Sequence, residues 1–453
     1  MDYIGPLICL VFIVIVGRLL LKKYYPHAVL LLAGLSMIIL AATLGFKLPD
    51  LLDPTGAAVF DLFSYIKQSF SKTNAGVGLM IMAIGGFVAY IDEIGASDAL
   101  VKIAMKPLSL LKKYPYITTV CVLPIGQLLF VCIPSAAGLG LLLMAAIYPI
   151  LINLGVSKLS AVSVITGCTA MGIGPASAIT ASATTIAEQD SIIYFLKEQI
   201  PLVIPLSLVM MVSYYFVNRY FDKKEGFKEE APIEKEDKVS APKIYAIIPV
   251  LPLILLIVFS EIFSFFKVPI VLDTTTAMFI SVFVALIFEW FRKRDFKLVL
   301  ASLKTFWNGM GNIFKTVVTL IIAADIFAKG LISLGFIDGL VNSSLALGLG
   351  AVGIGVIMVC MIFLASMLMG SGNASFFAFA PLVPKIAAQF GIKSTLIILP
   401  MNLAASMGRT VSPVAGVLIA VAEISGLSTI QIVKRNLIPL LAALIFLLIY
   451  HFI

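Results

Sequence analysis

Apolar runs of about 20 residues recur along the chain, separated by short polar or charged stretches. A membrane-crossing helix needs about 20 apolar residues, whereas a barrel strand needs only about ten, with alternating character. The runs therefore predict spanning helices at 3–21, 27–46, 75–92, 158–189, 199–219, 244–266, 270–291, 308–332, 394–424 and 436–452. Two longer apolar stretches, 116–153 and 350–390, are interrupted at their centres. The interruptions read Pro134-Ser135-Ala136-Ala137-Gly138 and Gly370-Ser371-Gly372-Asn373-Ala374. Glycine and proline disfavour a helix interior. Irregular polar backbone at membrane depth is tolerated only where protein or a water-filled cavity surrounds it. Each interruption is therefore expected to be the tip of a re-entrant hairpin and part of a binding site. The predicted fold class is an all-α polytopic membrane protein with about ten transmembrane helices plus two re-entrant hairpins.

Composition agrees with this pattern. Of 453 residues, 61% are hydrophobic and 12% charged, and the mean hydropathy is +1.10. Soluble domains are about 45–50% apolar and about 25% charged. The net charge of +8 points to no nucleic-acid partner, because the lysines and arginines lie between apolar runs rather than in a basic module. With the N-terminus outside, the cytoplasmic connections hold Arg18, Lys22, Lys23, Lys102, Lys106, Lys112, Lys113, Lys158, Arg292, Lys293, Arg294, Lys297, Lys304, Lys434, Arg435 and the basic residues of 219–243. Lys47, Lys67, Lys72, Lys197, Lys267 and Lys393 fall outside. Positive charge concentrates in cytoplasmic loops, so both termini are expected to be outside, with the charged connector 222–243 in the cytoplasm. No cleavable leader is expected, because Arg18, Lys22 and Lys23 follow the first apolar run instead of preceding it. Cys9, Cys121, Cys132, Cys168 and Cys360 lie in apolar segments without metal spacing and read as core residues.

The two halves resemble each other. Gly95, Asp98, Leu100 and Val101 recur as Gly335, Asp338, Leu340 and Val341, Ser135 recurs as Ser371, and Met171-Gly172 recurs as Met407-Gly408. The order of events also recurs: three spans, an amphipathic stretch, a hairpin, a broken span and a last span. Five crossings per half make the second copy insert upside down. Two inverted-topology repeats with a site near the midplane are the signature of a secondary transporter. The stretch 100–113, with Lys102, Lys106, Lys112 and Lys113 among apolar residues, is expected to lie in the interface, and 336–347 is its mate.

Both broken spans hold polar residues beside glycine and proline. The first runs through Gly172, Gly174, Pro175, Ser177 and Thr180; the second through Ser406, Gly408, Arg409, Thr410, Ser412 and Pro413. At such breaks, half-helix N-termini suit a carboxylate and C-termini suit a small cation. A simple proline kink is the alternative. Arg409 is the sharpest residue, because an arginine at bilayer depth costs roughly 2.5–3.5 kcal/mol on insertion scales. Its fork fits a substrate carboxylate. Asp325 and Lys329, four apart on one span, are expected to pair with each other, with an ion relay as the alternative. No triad, phosphate-cradling loop or metal cluster is present in the sequence, so no enzyme is expected.

The run Gly370–Ala374 followed by Phe376-Phe377-Ala378-Phe379, Pro384-Lys385, and Gly408-Arg409-Thr410-Val411-Ser412-Pro413 resembles the DcuC-type anaerobic C4-dicarboxylate carriers. The likeness extends to Ser135–Ala145 and to Gly86-Phe87-Val88-Ala89-Tyr90. It implies a bacterial inner-membrane carrier of fumarate, succinate, malate or aspartate, working by uptake, exchange or efflux. The wider ion transporter superfamily implies a homodimer, with an elevator-type transport domain moving against a scaffold, coupled to sodium or protons. On that implication 1–115 and 244–349 are scaffold, 116–220 and 350–453 are transport parts, and 221–243 is a linker. The candidate substrate-binding residues are Ser135, Ser371, Gly372, Asn373, Arg409, Thr410 and Ser412. The candidate ion-binding residues are Gly174, Ser177, Thr180 and Ser406. A carrier of amino acids or another organic anion, and a passive anion channel, are the alternatives.

Overall fold

A computed structural model describes residues 4–111, 113–226, 241–262 and 270–452, and every regular element among them is helical. The first half runs α1 (Ile4–Leu21), α2 (Pro26–Thr43), α3 (Ala58–Glu93), α4 (Ala96–Ala104), α5 (Pro115–Cys132), α6 (Ala136–Asn153), α7 (Lys158–Gly167), α8 (Ala178–Ile186) and α9 (Ser191–Lys224). The second half runs α10 (Leu251–Val258), α11 (Thr274–Lys293), α12 (Phe296–Ser333), α13 (Phe336–Ala346), α14 (Gly350–Met369), α15 (Gly372–Phe379), α16 (Val383–Phe390), α17 (Thr395–Thr410), α18 (Gly416–Ser425) and α19 (Thr429–Phe452). Among the described residues, 10 helices are long and apolar enough to cross a membrane.

Seven of those helices contain or overlap spans that the apolar runs single out, and three do not. The hairpin arms α5, α6 and α14 qualify, whereas the broken segments do not, because each half-helix is too short. The expected span 244–266 is also absent as a continuous helix. A tight 3-10 turn at Lys243–Ile247 precedes α10, with Pro252 in the first turn of α10, where its missing N–H costs nothing. Residues 263–266 of that expected span lie outside the described residues.

The spans expected at 75–92 and 308–332 are only the C-terminal halves of the long helices α3 and α12. Their N-terminal halves are amphipathic, and the lysines they carry hide them from an apolar-run reading. Each long helix passes through one wide π turn, at Asn74–Gly78 and Phe314–Val318. Each then ends at a left-handed glycine, Gly95 (φ +76°) or Gly335 (φ +74°), that starts α4 or α13. The order of long helix, short helix, hairpin, broken helix and closing helix thus occurs twice.

Lipid-facing and protein-facing surfaces separate clearly. Leu7, Leu10, Val11 and Val14 of α1, and Ile204, Leu208, Val212 and Phe216 of α9, are exposed apolar side chains with no role in the protein core. The broken helices are the opposite: Ser160–Gly167 of α7 and Ile397–Gly408 of α17 are buried throughout. Irregular backbone is thereby screened from lipid. The C-terminal half of α12 packs on α2 at a crossing that only glycine allows, since a Cβ on Gly34 would lie 2.6 Å from the Ile326 and Phe327 backbone. Gly34→Val is expected to destabilise the fold by about 1–3 kcal/mol through overpacking, read as a lower melting temperature of the detergent-solubilised protein.

Two ion pairs tie distant or successive turns together. Lys329 Nζ lies 2.8 Å from Asp325 Oδ2, and Ser69 of α3 bridges both groups. The expected pair thus forms and is satisfied across the α3–α12 contact. Two positions in the charge count behave differently from that expectation. Asp222 is the last turn of α9 rather than loop, and Arg435 is inside α19 rather than on a cytoplasmic connection. They form an ion pair at 2.8 Å with side chains 2% and 3% exposed. Ser157, Ser160 and Tyr116 donate further hydrogen bonds to the Asp222 carboxylate. A local hydropathy window cannot see this pairing, because its partners come from four separate segments. Residues 227–240 of the charged connector lie outside the described residues.

Candidate functional site

Both hairpins turn at a serine. Ser135 caps α6, accepting from Gly138 N at 3.1 Å, and Ser371 caps α15, accepting from Ala374 N at 3.2 Å. Gly370 closes α14 with φ +70°, and a Cβ there would meet the Val414 backbone at 2.8 Å, so the second tip sits directly on the second break. The first break spans residues 168–177 between α7 and α8, and the second spans 411–415 between α17 and α18. Gly172 (φ +60°) lets the first break lie against α17: a Cβ there would be 2.1 Å from Ser406 Oγ.

These parts enclose a cavity of about 390 Å³. Its lining includes Pro134, Ser135 and Ala136 of the first tip, Asn373 of the second, Gly172, Ser177 and Ala178 of the first break, and Ser406 and Arg409 of α17. The remaining wall comes from α3, with Asp92, and from α12, with Asn312 beside the π turn. The size falls in the ordinary range for small-molecule sites, about 300–1,000 Å³.

Three helices begin at this cavity, α6, α8 and α15, with Ser135, Ser177 and Ser371 as their N-cap residues. The α8 terminus has no side-chain cap. Each N-terminus presents amide donors and roughly half a positive charge. Arg409 adds a full charge. Its Nη2 donates to the Thr169 carbonyl at 2.6 Å, its Nε has no partner, and among the described residues no carboxylate lies within ion-pair reach. Three buried donors on α17 have no partner: Asn402 Nδ2, Ser406 Oγ and Arg409 Nε. Their spacing of i, i+4 and i+7 places them along one helix face. Buried donors without acceptors are costly, and two of these, on Ser406 and Arg409, border a cavity with excess positive potential. The arrangement suits an anion with more than one acceptor group.

Of the expected substrate-binding residues, the structure brings Ser135, Asn373 and Arg409 to the cavity wall. Ser371 and Gly372 shape the tip behind Asn373, with the Ser371 hydroxyl engaged as a cap. Thr410 and Ser412 point elsewhere. Both are buried, the Thr410 hydroxyl donates to the Ser406 carbonyl at 2.9 Å, and Ser412 accepts from Val414 N. Of the expected ion-binding residues, Ser177 and Ser406 line the same cavity. Gly174 and Thr180 are held behind it by Gln199, whose Oε1 accepts from Gly174 N at 3.1 Å and whose Nε2 donates to Thr180 Oγ1 at 3.0 Å. Gln199 Nε2 also donates to Asn402 Oδ1 at 2.6 Å, tying the first break to α17.

Gln199, Asn312 and Asp92 escaped the sequence reading. Gln199 and Asn312 stand at the edges of apolar runs, where polar residues are commonplace. Their signal was a fully polar side chain inside what proves to be a longer helix. Asp92 had the form of an ordinary charge at a span end.

The DcuC family, described as C4-dicarboxylate anaerobic carriers, matches residues 4–453. The chain belongs to this family. The DcuC family members similar to it include the anaerobic C4-dicarboxylate transporter DcuC of Escherichia coli strain K12, 34% identical over 98% of this chain and 95% of that one. A Vibrio cholerae protein named as a probable anaerobic C4-dicarboxylate transporter DcuC is 36% identical over 97% of this chain and 95% of that one. Among solved structures, the fold is similar to the YdaH transporter of Alcanivorax borkumensis (TM-score 0.63, 14% identity, 94% of this chain and 98% of that one). It is also similar to MtrF of Neisseria gonorrhoeae (TM-score 0.61, 12% identity, 94% and 95%). Membership of the DcuC family makes this chain a multi-pass membrane transporter and not an enzyme.

Proposed function

We propose that this DcuC-family chain is a secondary carrier of C4-dicarboxylates (fumarate, succinate, malate and aspartate) across the bacterial inner membrane, by uptake, exchange or efflux. The observation that carries the reading is the convergence of three helix N-termini and a guanidinium without a carboxylate partner on one half-open cavity. A dicarboxylate dianion needs about two units of compensating charge. Arg409 supplies one, and the three helix ends supply roughly half a unit each. One carboxylate lies on the α17 donors Ser406 and Arg409, and the other on the hairpin tips at Ser135 and Asn373. A co-transported sodium ion or proton drives the carrier, with the Ser177 and Ser406 hydroxyls as the oxygens on that wall. Both termini are placed in the periplasm by the lysine and arginine distribution. The hairpins and broken helices form the moving transport part of a homodimeric elevator, and α1–α4 and α10–α13 form its scaffold.

Counterflow tests this reading. In proteoliposomes of the purified chain, external succinate is expected to accelerate the exit of labelled fumarate severalfold. Downhill flux with no such acceleration points instead to a channel, and acceleration by neutral amino acids but not by succinate points to a different carrier.

A further inference from the structure

The cavity contains one charge that a pure dianion site has no use for. Asp92, near the end of α3, lines the wall facing the first hairpin tip. One oxygen, Oδ1, accepts from the Ser97 hydroxyl of α4. The other, Oδ2, points toward the first turn of α6, where a Cβ on Gly138 would lie 3.8 Å away. Among the described residues Oδ2 has neither a hydrogen-bond donor nor a cation within ion-pair reach. The carboxylate is exposed toward the cavity rather than buried in the protein. A free carboxylate beside a dianion raises its energy by like-charge repulsion, unless a positive group of the ligand sits between them. The cavity therefore carries one negative point among its positive ones, beside the N-terminus of α6. Arg409, Ser406 and the helix N-termini favour carboxylates, and Asp92 Oδ2 favours a cation.

We propose that Asp92 is a specificity-determining residue that receives the ammonium group of a 2-amino C4-dicarboxylate, so that the site prefers aspartate to its unsubstituted and hydroxyl counterparts. An ammonium carries three donors and satisfies the open oxygen of Asp92 while its two carboxylates occupy the positive poles. Malate has the same carbon frame with a neutral hydroxyl in place of the ammonium, and succinate has nothing there. The surroundings of Asp92 offer few oxygens for a metal ion. Among the described residues its carboxylate has one hydrogen-bonding neighbour, the Ser97 hydroxyl, far short of the six or so oxygens a hard cation collects.

This inference rests on the dicarboxylate-carrier reading, and wild-type succinate counterflow keeps the two apart: its absence removes that reading, whereas its presence leaves Asp92 to be judged alone. The experiment measures counterflow of labelled L-aspartate, L-malate and succinate by the full-length protein in proteoliposomes. The wild type is expected to prefer aspartate to malate, a comparison that needs no variant. Asp92→Asn is expected to lower the aspartate-to-malate ratio by about tenfold to a hundredfold, the usual weight of a charge-assisted hydrogen bond, with succinate counterflow kept or raised. Asp92→Glu, which retains the charge, is expected to keep aspartate ahead of malate. A melting curve for each variant in detergent separates a folding defect from a change of specificity. A ratio unmoved in Asp92→Asn, with only the pH dependence of all three substrates altered, would make Asp92 a proton site and overturn the proposal. A wild type that carries malate and succinate but not aspartate overturns it as well.

Discussion

Arg409→Ala is expected to reduce succinate counterflow at least 100-fold while the protein still folds and inserts. The guanidinium is the full positive charge among the cavity's anion-favouring groups, and it has no carboxylate of the protein to neutralise it. Removing one partner of a desolvated, hydrogen-bonded charge pair costs about 2–5 kcal/mol. Each 1.4 kcal/mol is a factor of ten, so that range corresponds to roughly 30-fold to 4,000-fold, and the burial of the guanidinium Nε places the loss above 100-fold. Folding is expected to survive because the structural bond lost is a single donation to the Thr169 carbonyl. Arg409→Lys is expected to recover only part of the activity, since an ammonium cannot donate in a fork from a planar group. The check is counterflow combined with a substrate-induced shift in melting temperature. Retained transport in Arg409→Ala, at wild-type expression, would falsify the placement of Arg409 in the site.

Arg435→Ala is expected to act on stability instead. Its guanidinium holds Asp222 and Glu225 at the end of α9, and it reaches the Ser160 hydroxyl of α7 and the Asn218 carbonyl. Truncation leaves Asp222 buried without its counter-charge, which costs about 3–5 kcal/mol. For a chain of this length that corresponds to a melting temperature lower by about 3–5 °C. Asp222→Asn combined with Arg435→Met is expected to recover most of the loss, because the charge stranded by the single variant is gone. A double variant as unstable as Arg435→Ala alone would show that packing around Arg435, and not its charge, sets the stability. Neither variant touches the cavity, so the apparent affinity for succinate of the surviving folded protein is expected to stay near the wild-type value.

The contrast between these two arginines shows what hydropathy can and cannot tell. Both are cations on helices, and local sequence treats them in opposite ways. Arg409 stands out because it lies among glycine, proline and small polar residues that no lipid-facing helix uses. Arg435 passes for a loop charge because Lys434 precedes it and an apolar run follows it. The difference lies in partners that are distant in the chain. Arg435 meets Asp222 across 213 intervening positions of sequence separation, whereas Arg409 meets no acid among the described residues. A reading by windows of about 20 residues has no access to either fact.

The same limit explains the long helices. The apolar halves of α3 and α12 are plain in the sequence, but their amphipathic halves owe their helical state to neighbours that cover one face. Helical periodicity was present there, and apolar length was the wrong measure of it.

The membrane class, the helical architecture, the positions of both hairpin tips and both glycine–proline breaks, and the recurrence of their order were legible in the sequence. Each of these is local chemistry: hydrocarbon length, turn-forming residues and their spacing. The tertiary structure alone decided which of the polar residues share a cavity. It joined Ser135, Ser177, Asn373, Ser406 and Arg409, and turned Thr410 and Ser412 away. It bound Gly174 and Thr180 to Gln199, and added Asp92 and Asn312 from the long helices. The physical reason is that a helix break fixes where backbone donors become free. Where they point, and what charge stands opposite, depends on the packing of segments hundreds of residues apart.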